Sequence, residues 1–110
     1  MGTGKEMRDL SFLDDQILNM IRIAERAEYH GETYNLASGV SHSVKDIAGV
    51  VARAMRLKPK FVFTQKIRAF DSRAWYADVK KMRSLGCRNK TSLAEGVKKM
   101  VNWYNSEIKK

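Results

Sequence analysis

Hydrophobic residues recur at helical spacing in four segments of the chain. The repeat runs through residues 14–28, 41–59 and 91–110, and a shorter one covers residues 79–86. Spacings of three and four positions are typical of amphipathic α-helices, so we predict three longer helices and one short helix. Ser43 with Asp46 and Ser92 with Glu95 stand at the spacing of a capping box, and they mark two helix starts.

Two short segments between the helices have the pattern of strands. Residues 32–38 alternate hydrophobic and polar side chains, and residues 61–64 (FVFT) are β-branched or aromatic. Residues 65–78 lack a clear period and predict a loop with a short extended piece. The expected fold is therefore one small α/β domain over residues 1–110, with about four helices and a short, mostly two-stranded sheet.

Length and composition limit what the chain can be. A chain of 110 residues with 44% hydrophobic content suffices for one small core. Its apolar runs are too short for a membrane helix, and its N-terminus lacks the apolar stretch of a signal peptide. The single cysteine, Cys87, forms neither an internal disulfide nor a metal cluster with His30 and His42. We therefore expect a cytoplasmic protein, a structural Cys87 and no metal site.

The charge of the chain is unevenly distributed. Residues 1–52 carry 5 Lys and Arg against 8 Asp and Glu, whereas residues 53–110 carry 16 against 4. This asymmetry indicates an anionic partner, an acidic neighbouring domain or simply a solvated basic surface.

Four stretches of the sequence, in this order, resemble one protein family. They are GTGKEMRDLSFLDD, GETYNLASGVSHSVKDIA, IRAFDSRAWYADVKKMRSLGC and KTSLAEGVKKMVNWY. Together they are similar to the C-terminal third of the extended short-chain dehydrogenase/reductases, the NAD(P)-dependent nucleotide-sugar epimerases and dehydratases. The sequence departs from the family pattern at Ala37, Phe70 and Cys87. The resemblance implies the C-terminal, substrate-binding lobe of a Rossmann-type epimerase.

The resemblance also implies a ligand and the residues that bind it. Arg8 and Arg68 match the residues that reach the diphosphate of a UDP-, GDP- or dTDP-linked sugar, and Asp71 matches a nucleoside contact. Guanidinium groups suit this role because they bind phosphate oxygens through paired, charge-assisted hydrogen bonds. Arg73 either supports the same site or braces the loop. Asp9 either orients Arg8 or faces solvent, and without the resemblance an exposed Arg8–Asp9 pair would be the simpler interpretation.

The segments that carry the family's chemistry have no counterpart in this sequence. There is no strand followed by a glycine-rich turn and a helix, so no complete Rossmann unit is present, and NAD(P) is implied only for the full-length family. Tyr76 and Lys80 match the spacing of a catalytic Tyr-x-x-x-Lys pair but lie in a different family motif. We therefore expect no catalytic residue here, no activity of the chain alone, and a fragment or free-standing relic that lacks its Rossmann domain.

Two other functions stay open. A lobe without its partner domain would expose apolar surface, which favours a non-catalytic interaction or oligomerisation domain. The basic half could bind nucleic acid, although no recognition motif accompanies the charge. The aromatic residues Trp75, Tyr76, Trp103 and Tyr104 are expected to pack rather than to stack on bases.

Overall fold

A computed structural model describes residues 2–66 and 72–108 of the chain. It contains three short strands and four helices within these residues. The strands are β1 (Met7–Asp9), β2 (Ser41–Ser43) and β3 (Ala74–Trp75), and the helices are α1 (Leu13–Arg26), α2 (Val44–Ala54), α3 (Lys80–Ser84) and α4 (Leu93–Glu107). The small α/β domain with four helices is confirmed.

The sheet differs from the predicted one in the number and the place of its strands. It has three strands in the order β2-β1-β3, and β1 pairs antiparallel with β2 and parallel with β3. The central strand therefore lies at the start of the chain, in the segment that contains Arg8. The sheet has one strand more than the mostly two-stranded sheet that was expected, because a three-residue strand is too short to show an alternating pattern.

Neither segment that was predicted as a strand forms one. Tyr34, Leu36 and Ala37 pack against the core cluster, but residues 32–40 run as a loop. In residues 61–64, the rings of Phe61 and Phe63 lie 6.5 Å apart and no strand pairing occurs. The alternation in residues 32–38 reflects side-chain packing, which does not require a hydrogen-bonded ladder.

The predicted helix starts are largely confirmed by hydrogen bonds. The Ser43 hydroxyl accepts from the backbone N–H of Asp46 at the start of α2. At the start of α4, Ser92 and Glu95 form a reciprocal capping box. The Ser92 hydroxyl and backbone N–H, both donating to the Glu95 carboxylate, hold the pKa of Glu95 below its usual value.

The core of the domain is small, and the molecule is flat. Val79, Met82 and Cys87 form a buried cluster, and Val97 and Val101 of α4 are also buried. The radius of gyration is 16.7 Å and the extents are 50 × 40 × 18 Å. A compact domain of this length would have a radius of gyration of about 13 Å. A slab of this shape leaves much of its apolar surface uncovered. Within residues 2–66 and 72–108, no helix is long and apolar enough to cross a membrane.

Helix α1 turns a polar face toward the rest of the domain. We call this the inner face of α1; it carries Asp15, Asn19, Arg22, Ile23 and Arg26. Asp15 and Asn19 are buried, and Arg22 and Arg26 donate to the carbonyls of Gly86 and Leu85. The apolar stripe lies on the opposite side, which we call the outer face of α1; it carries Leu13, Ile17, Met20 and Ile21. These four side chains are about half exposed or more.

Helix α4 buries a narrower face than its sequence indicates. Val97 and Val101 are buried, whereas Met100 and Tyr104 are 49% and 41% exposed. Val101, and not its neighbour Met100, is therefore the buried residue at this position. Tyr104, which was expected to pack, is partly exposed because the groove beside α2 stays open at this position.

Candidate functional site

The central strand joins Arg8 to the segment that precedes β3. One guanidinium nitrogen, Nη1, donates to the carbonyl of Met7 at 2.8 Å and to the carbonyl of Ser72 at 3.0 Å. The Met7 backbone N–H donates to the carbonyl of Arg73 at 2.8 Å. Two motifs separated by more than sixty residues in sequence therefore meet at β1. Arg8 is half-buried and lies next to residues 72–75.

Asp9 has a structural partner of its own. Its carboxylate accepts from the backbone N–H groups of Ser38 and Gly39, both at 2.9 Å, and from the Ser38 hydroxyl. Gly39 has a φ of 71°, which favours glycine, and an added Cβ would lie 2.7 Å from Val79. Successive strand residues point to opposite sides of the sheet, so Asp9 and Arg8 face different ways. Asp9 thus fixes the turn before β2.

A carboxylate also fixes the loop that leads into β1. Glu6 accepts from the backbone N–H of Thr3 at 2.7 Å, from the Thr3 hydroxyl at 2.9 Å and from the N–H of Gly4 at 2.9 Å. These hydrogen bonds, the Thr3 backbone N–H above all, lower the pKa of Glu6 to about 2. Gly4 has a φ of 79°, and an added Cβ would lie 2.5 Å from the ring of Phe63. The sequence analysis missed this brace, although Thr3-x-x-Glu6 has capping-box spacing.

Only part of the predicted ligand site lies in the described residues. Arg68 and Asp71 fall outside them, so their predicted roles stay predictions. Arg73 braces β1 through its backbone carbonyl. Its side chain lines a hollow of about 230 Å³ with Thr3, Lys5 and Glu6. The two roles considered for Arg73 are therefore compatible in this geometry.

A second hollow lies on the Asp9 side of the strands. It has a volume of about 430 Å³ and is lined by Asp9, Ala37, residues 74–77 and Ser72. Trp75 and Tyr76 are 65% and 73% exposed, and Trp103 is also exposed. The packing expected of these aromatic side chains does not occur within the described residues, because the thin slab offers no second layer to cover them.

Tyr76 and Lys80, which match the spacing of a catalytic pair, both lie on the surface. Tyr76 is exposed, and the Lys80 ammonium lies 3.9 Å from the Asp78 carboxylate at the start of α3. Among residues 2–66 and 72–108, no three His, Cys, Asp or Glu side chains meet to hold a metal ion. The buried Cys87 thiol lies 3.7 Å from the carbonyl of Asn19, inside the core.

Sequence comparison finds relatives among enzymes of nucleotide-sugar metabolism. No family model matches the chain. A putative UDP-glucose 4-epimerase of Methanocaldococcus jannaschii is 26% identical over 106 residues, which are 96% of this chain and 33% of that protein. A trifunctional UDP-glucose 4,6-dehydratase, epimerase and reductase of Arabidopsis thaliana is 26% identical over 107 residues, 94% of this chain and 15% of that protein. The chain therefore spans a third or less of these curated relatives.

Solved structures share the fold over nearly the whole chain. The epimerase Mth375 of Methanothermobacter thermautotrophicus superposes with a TM-score of 0.89 and 24% identity, covering 99% of this chain and 33% of that one. MoeE5, solved with UDP-glucuronic acid and NAD, gives a TM-score of 0.85 and 25% identity over 97% of this chain and 36% of its own. These matches confirm the resemblance inferred from the four motifs.

Proposed function

We propose that the chain binds a nucleotide sugar, because its fold and its sequence are similar to those of about one third of the length of known sugar epimerases. In this proposal it forms the substrate-binding part of an NAD(P)-dependent sugar epimerase or dehydratase. The relatives span about three or more times the length that this chain matches. The oxidation and rearrangement of the sugar are therefore assigned to a partner domain.

The observation that carries the proposal is the junction between β1 and residues 72–75. Arg8 donates to the Ser72 carbonyl, and the Arg73 carbonyl accepts from Met7, so the two arginine-bearing motifs are held side by side. A clamp on a diphosphate requires cations that approach from two segments at a fixed separation. We propose that Arg8 and Arg68 bind the diphosphate, that Asp71 contacts the nucleoside, and that Arg73 supports them.

The loops around Arg8 favour a preorganised site. Glu6 braces the chain before β1, and Asp9 holds the turn at Ser38 and Gly39 on the other side of Arg8. Both carboxylates accept hydrogen bonds from backbone N–H groups. These hydrogen bonds restrict the conformational freedom of the strand between them. A ligand that binds an already ordered strand loses less affinity to the cost of ordering it.

The residues that this chain contributes do not fit NAD(P). A dinucleotide site needs a glycine-rich turn that follows a strand and opens a helix. Here Gly2 and Gly4 precede β1, and α1 begins without a side-chain cap after Phe12. In the proposed enzyme, NAD(P) would therefore bind in the partner domain.

The outer face of α1 is the surface that we propose for the partner domain. Leu13, Ile17, Met20 and Ile21 form a continuous stripe of exposed hydrophobic side chains. A monomeric domain rarely exposes such a stripe. The same observation favours the second candidate function, an interaction or oligomerisation domain, in which the stripe would contact another copy of the chain.

Binding of the nucleotide sugar can be tested by NMR titration of the chain. UDP-glucose, GDP-mannose and dTDP-glucose are added separately to the ¹⁵N-labelled chain. We expect one of them to shift the amides of β1 and of residues 66–75 with a saturating curve. Loss of charged hydrogen bonds in Arg8→Gln should weaken that binding by about tenfold or more.

The matched control is Arg88→Gln. Arg88 is an exposed arginine in the segment that follows Cys87, and its substitution removes the same charge. Equal weakening by both variants would mean that net charge alone attracts the ligand. Absence of saturable shifts with all three nucleotide sugars at about 10 mM would contradict a binding site on this chain.

A further inference from the structure

A groove between α2 and α4 lies outside the candidate nucleotide site. It has a volume of about 780 Å³ and runs along one side of α4, where Ala94, Lys98, Val101 and Asn105 line it. These positions are spaced by three and four residues, so they share one helix face. The groove follows α4 for about 16 Å, since an α-helix rises about 1.5 Å per residue. It is therefore elongated over three helical turns.

The floor of the groove is apolar. Val50 and Ala54 of α2 face Val101 of α4 across it. Leu57, which is 55% exposed, and Tyr104 also line it. This surface can bury the hydrophobic side chains of a ligand, and its length matches that of a helix lying along it.

The rim of the groove is positively charged. Arg53, Arg56 and Lys98 line it, and none of the described residues that line it is acidic. Within residues 2–66 and 72–108, these three side chains make no hydrogen bond and no ion pair. A carboxylate-bearing ligand would complement this rim, because charge complementarity steers and orients association.

Arg56 adds an independent observation, because its backbone has a conformation that favours glycine. Its φ is 57°, and α2 ends there in a Schellman motif: Leu57 N–H donates to the Ala52 carbonyl and Arg56 N–H donates to the Arg53 carbonyl. Glycine is the usual residue at this position, and a side chain here is strained. The arginine therefore places a guanidinium at the groove, although its strained backbone lowers the stability of the end of α2.

We propose that the α2–α4 groove binds an acidic amphipathic helix of a partner protein. The apolar face of that helix lies on Val50, Ala54 and Val101. Its glutamates or aspartates lie opposite Arg53, Arg56 and Lys98. A helix of about three turns matches the length of the groove, and this mode of recognition uses anchors spaced by three and four residues.

The experiment uses a fluorescent 14-residue peptide with leucines on one face and glutamates beside them, added to the chain and followed by anisotropy. We expect saturable binding with a Kd of about 10–100 μM, since the contact is short. Amide shifts of the chain should concentrate on the second half of α2 and on α4. A scrambled peptide of the same composition, which lacks the apolar face, should bind at least about tenfold more weakly.

Two variants separate binding from folding. Arg56→Gly relieves the strained backbone, so the chain should keep or raise its stability and yet bind the peptide about threefold or more weakly. Lys98→Gln should weaken binding by a similar factor. Lys45→Gln removes an exposed charge at the opposite end of α2 and should leave the peptide affinity unchanged.

Three results would overturn the proposal. One is the absence of saturable peptide binding up to about 1 mM. The second is a scrambled peptide that binds with the same affinity, or a Lys45→Gln variant that loses as much peptide affinity as Lys98→Gln. Either result would mean that net charge alone attracts the peptide. The third is a tighter, Arg56-dependent complex with a uridine oligonucleotide or with a second copy of the chain, which would assign the groove to that occupant.

Discussion

The two faces of α1 reverse the usual arrangement of a surface helix. The inner face, which contacts the domain, buries Asp15 and Asn19, and the outer face exposes Leu13, Ile17, Met20 and Ile21. A surface helix normally buries its apolar stripe and exposes its polar side. The comparison teaches that the stability of α1 within this chain comes from polar contacts, while its hydrophobic stripe is available for another surface.

The inner face can be buried because its buried polar side chains, Asp15 and Asn19, have hydrogen-bond partners. The Asn19 amide accepts from the Arg88 N–H at 3.0 Å and donates to Asn89 at 2.8 Å. The Asp15 carboxylate accepts from the N–H groups of Lys90 and Thr91. Buried polar groups are tolerated when they are hydrogen-bonded. The inner face therefore fastens α1 to residues 88–91, just before α4.

The largest expected effect distinguishes the two faces by stability. Asn19→Ala should lower the free energy of unfolding by about 3 kcal/mol, because it opens a cavity and leaves the Arg88 N–H unpaired. Ile17→Ala on the outer face should cost about 0.5 kcal/mol, since the side chain is 46% exposed. Urea denaturation of both variants measures the difference. Equal losses would mean that the outer face is packed in solution.

A smaller effect concerns pH and the inner face. Burial tends to raise the pKa of Asp15, but the N–H groups of Thr91 and Lys90 and the nearby Lys99 charge together hold it below its usual 3.8. A lowered pKa stabilises the fold above the unfolded value, and that contribution is lost as the pH falls through the folded pKa. Asp15→Asn should therefore lose about 1–2 kcal/mol near pH 6 and less near pH 2.

The control for this pH experiment is the neighbouring aspartate. Asp14 lies in the same first turn of α1 but is exposed, so Asp14→Asn should change stability by less than about 0.5 kcal/mol at both pH values. Urea midpoints at the two pH values give the comparison. A pH dependence that is identical in the native chain and in Asp15→Asn would contradict the inner-face account.

The smallest effect on stability concerns the outer face. Substituting both Ile17 and Ile21 by Glu should change the free energy of unfolding by no more than about 0.5 kcal/mol, because both side chains are exposed. The native chain should show an average mass that rises above 12.6 kDa with concentration, and the double variant should stay at 12.6 kDa. Lys45→Glu serves as the charged control. Sedimentation measures the masses. A native chain that stays monomeric would contradict self-association through the outer face.

The sequence predicted the elements that depend on local signals. The capping box at Ser92 and the cap at Ser43 are short-range patterns, so α2 and α4 could be found from them. The strands could not be found, because β1 and β3 have three and two residues and depend on partners far along the chain. The periodicity of α1 predicted a helix but could not show which face is buried, since the spacing alone does not name the neighbour.

The candidate site was predicted only through the family resemblance. Taken alone, Arg8 beside Asp9 would be interpreted as an exposed ion pair. In the structure, the Asp9 carboxylate instead accepts hydrogen bonds from the turn at Ser38 and Gly39. Arg8 donates to the backbone carbonyl of Ser72. Because every residue has such a carbonyl, the sequence does not indicate this contact. Contacts of this kind follow from topology rather than from residue type.

The order of pairing in the sheet has a consequence for folding kinetics. Arg8 pairs with His42 on one side and with Trp75 on the other, so the central strand is complete only after two long loops have closed. Closing long loops is slow relative to forming a capped helix, and contacts distant in sequence are late to form. We therefore expect α4 to acquire structure early and the neighbourhood of Arg8 to mature last during refolding.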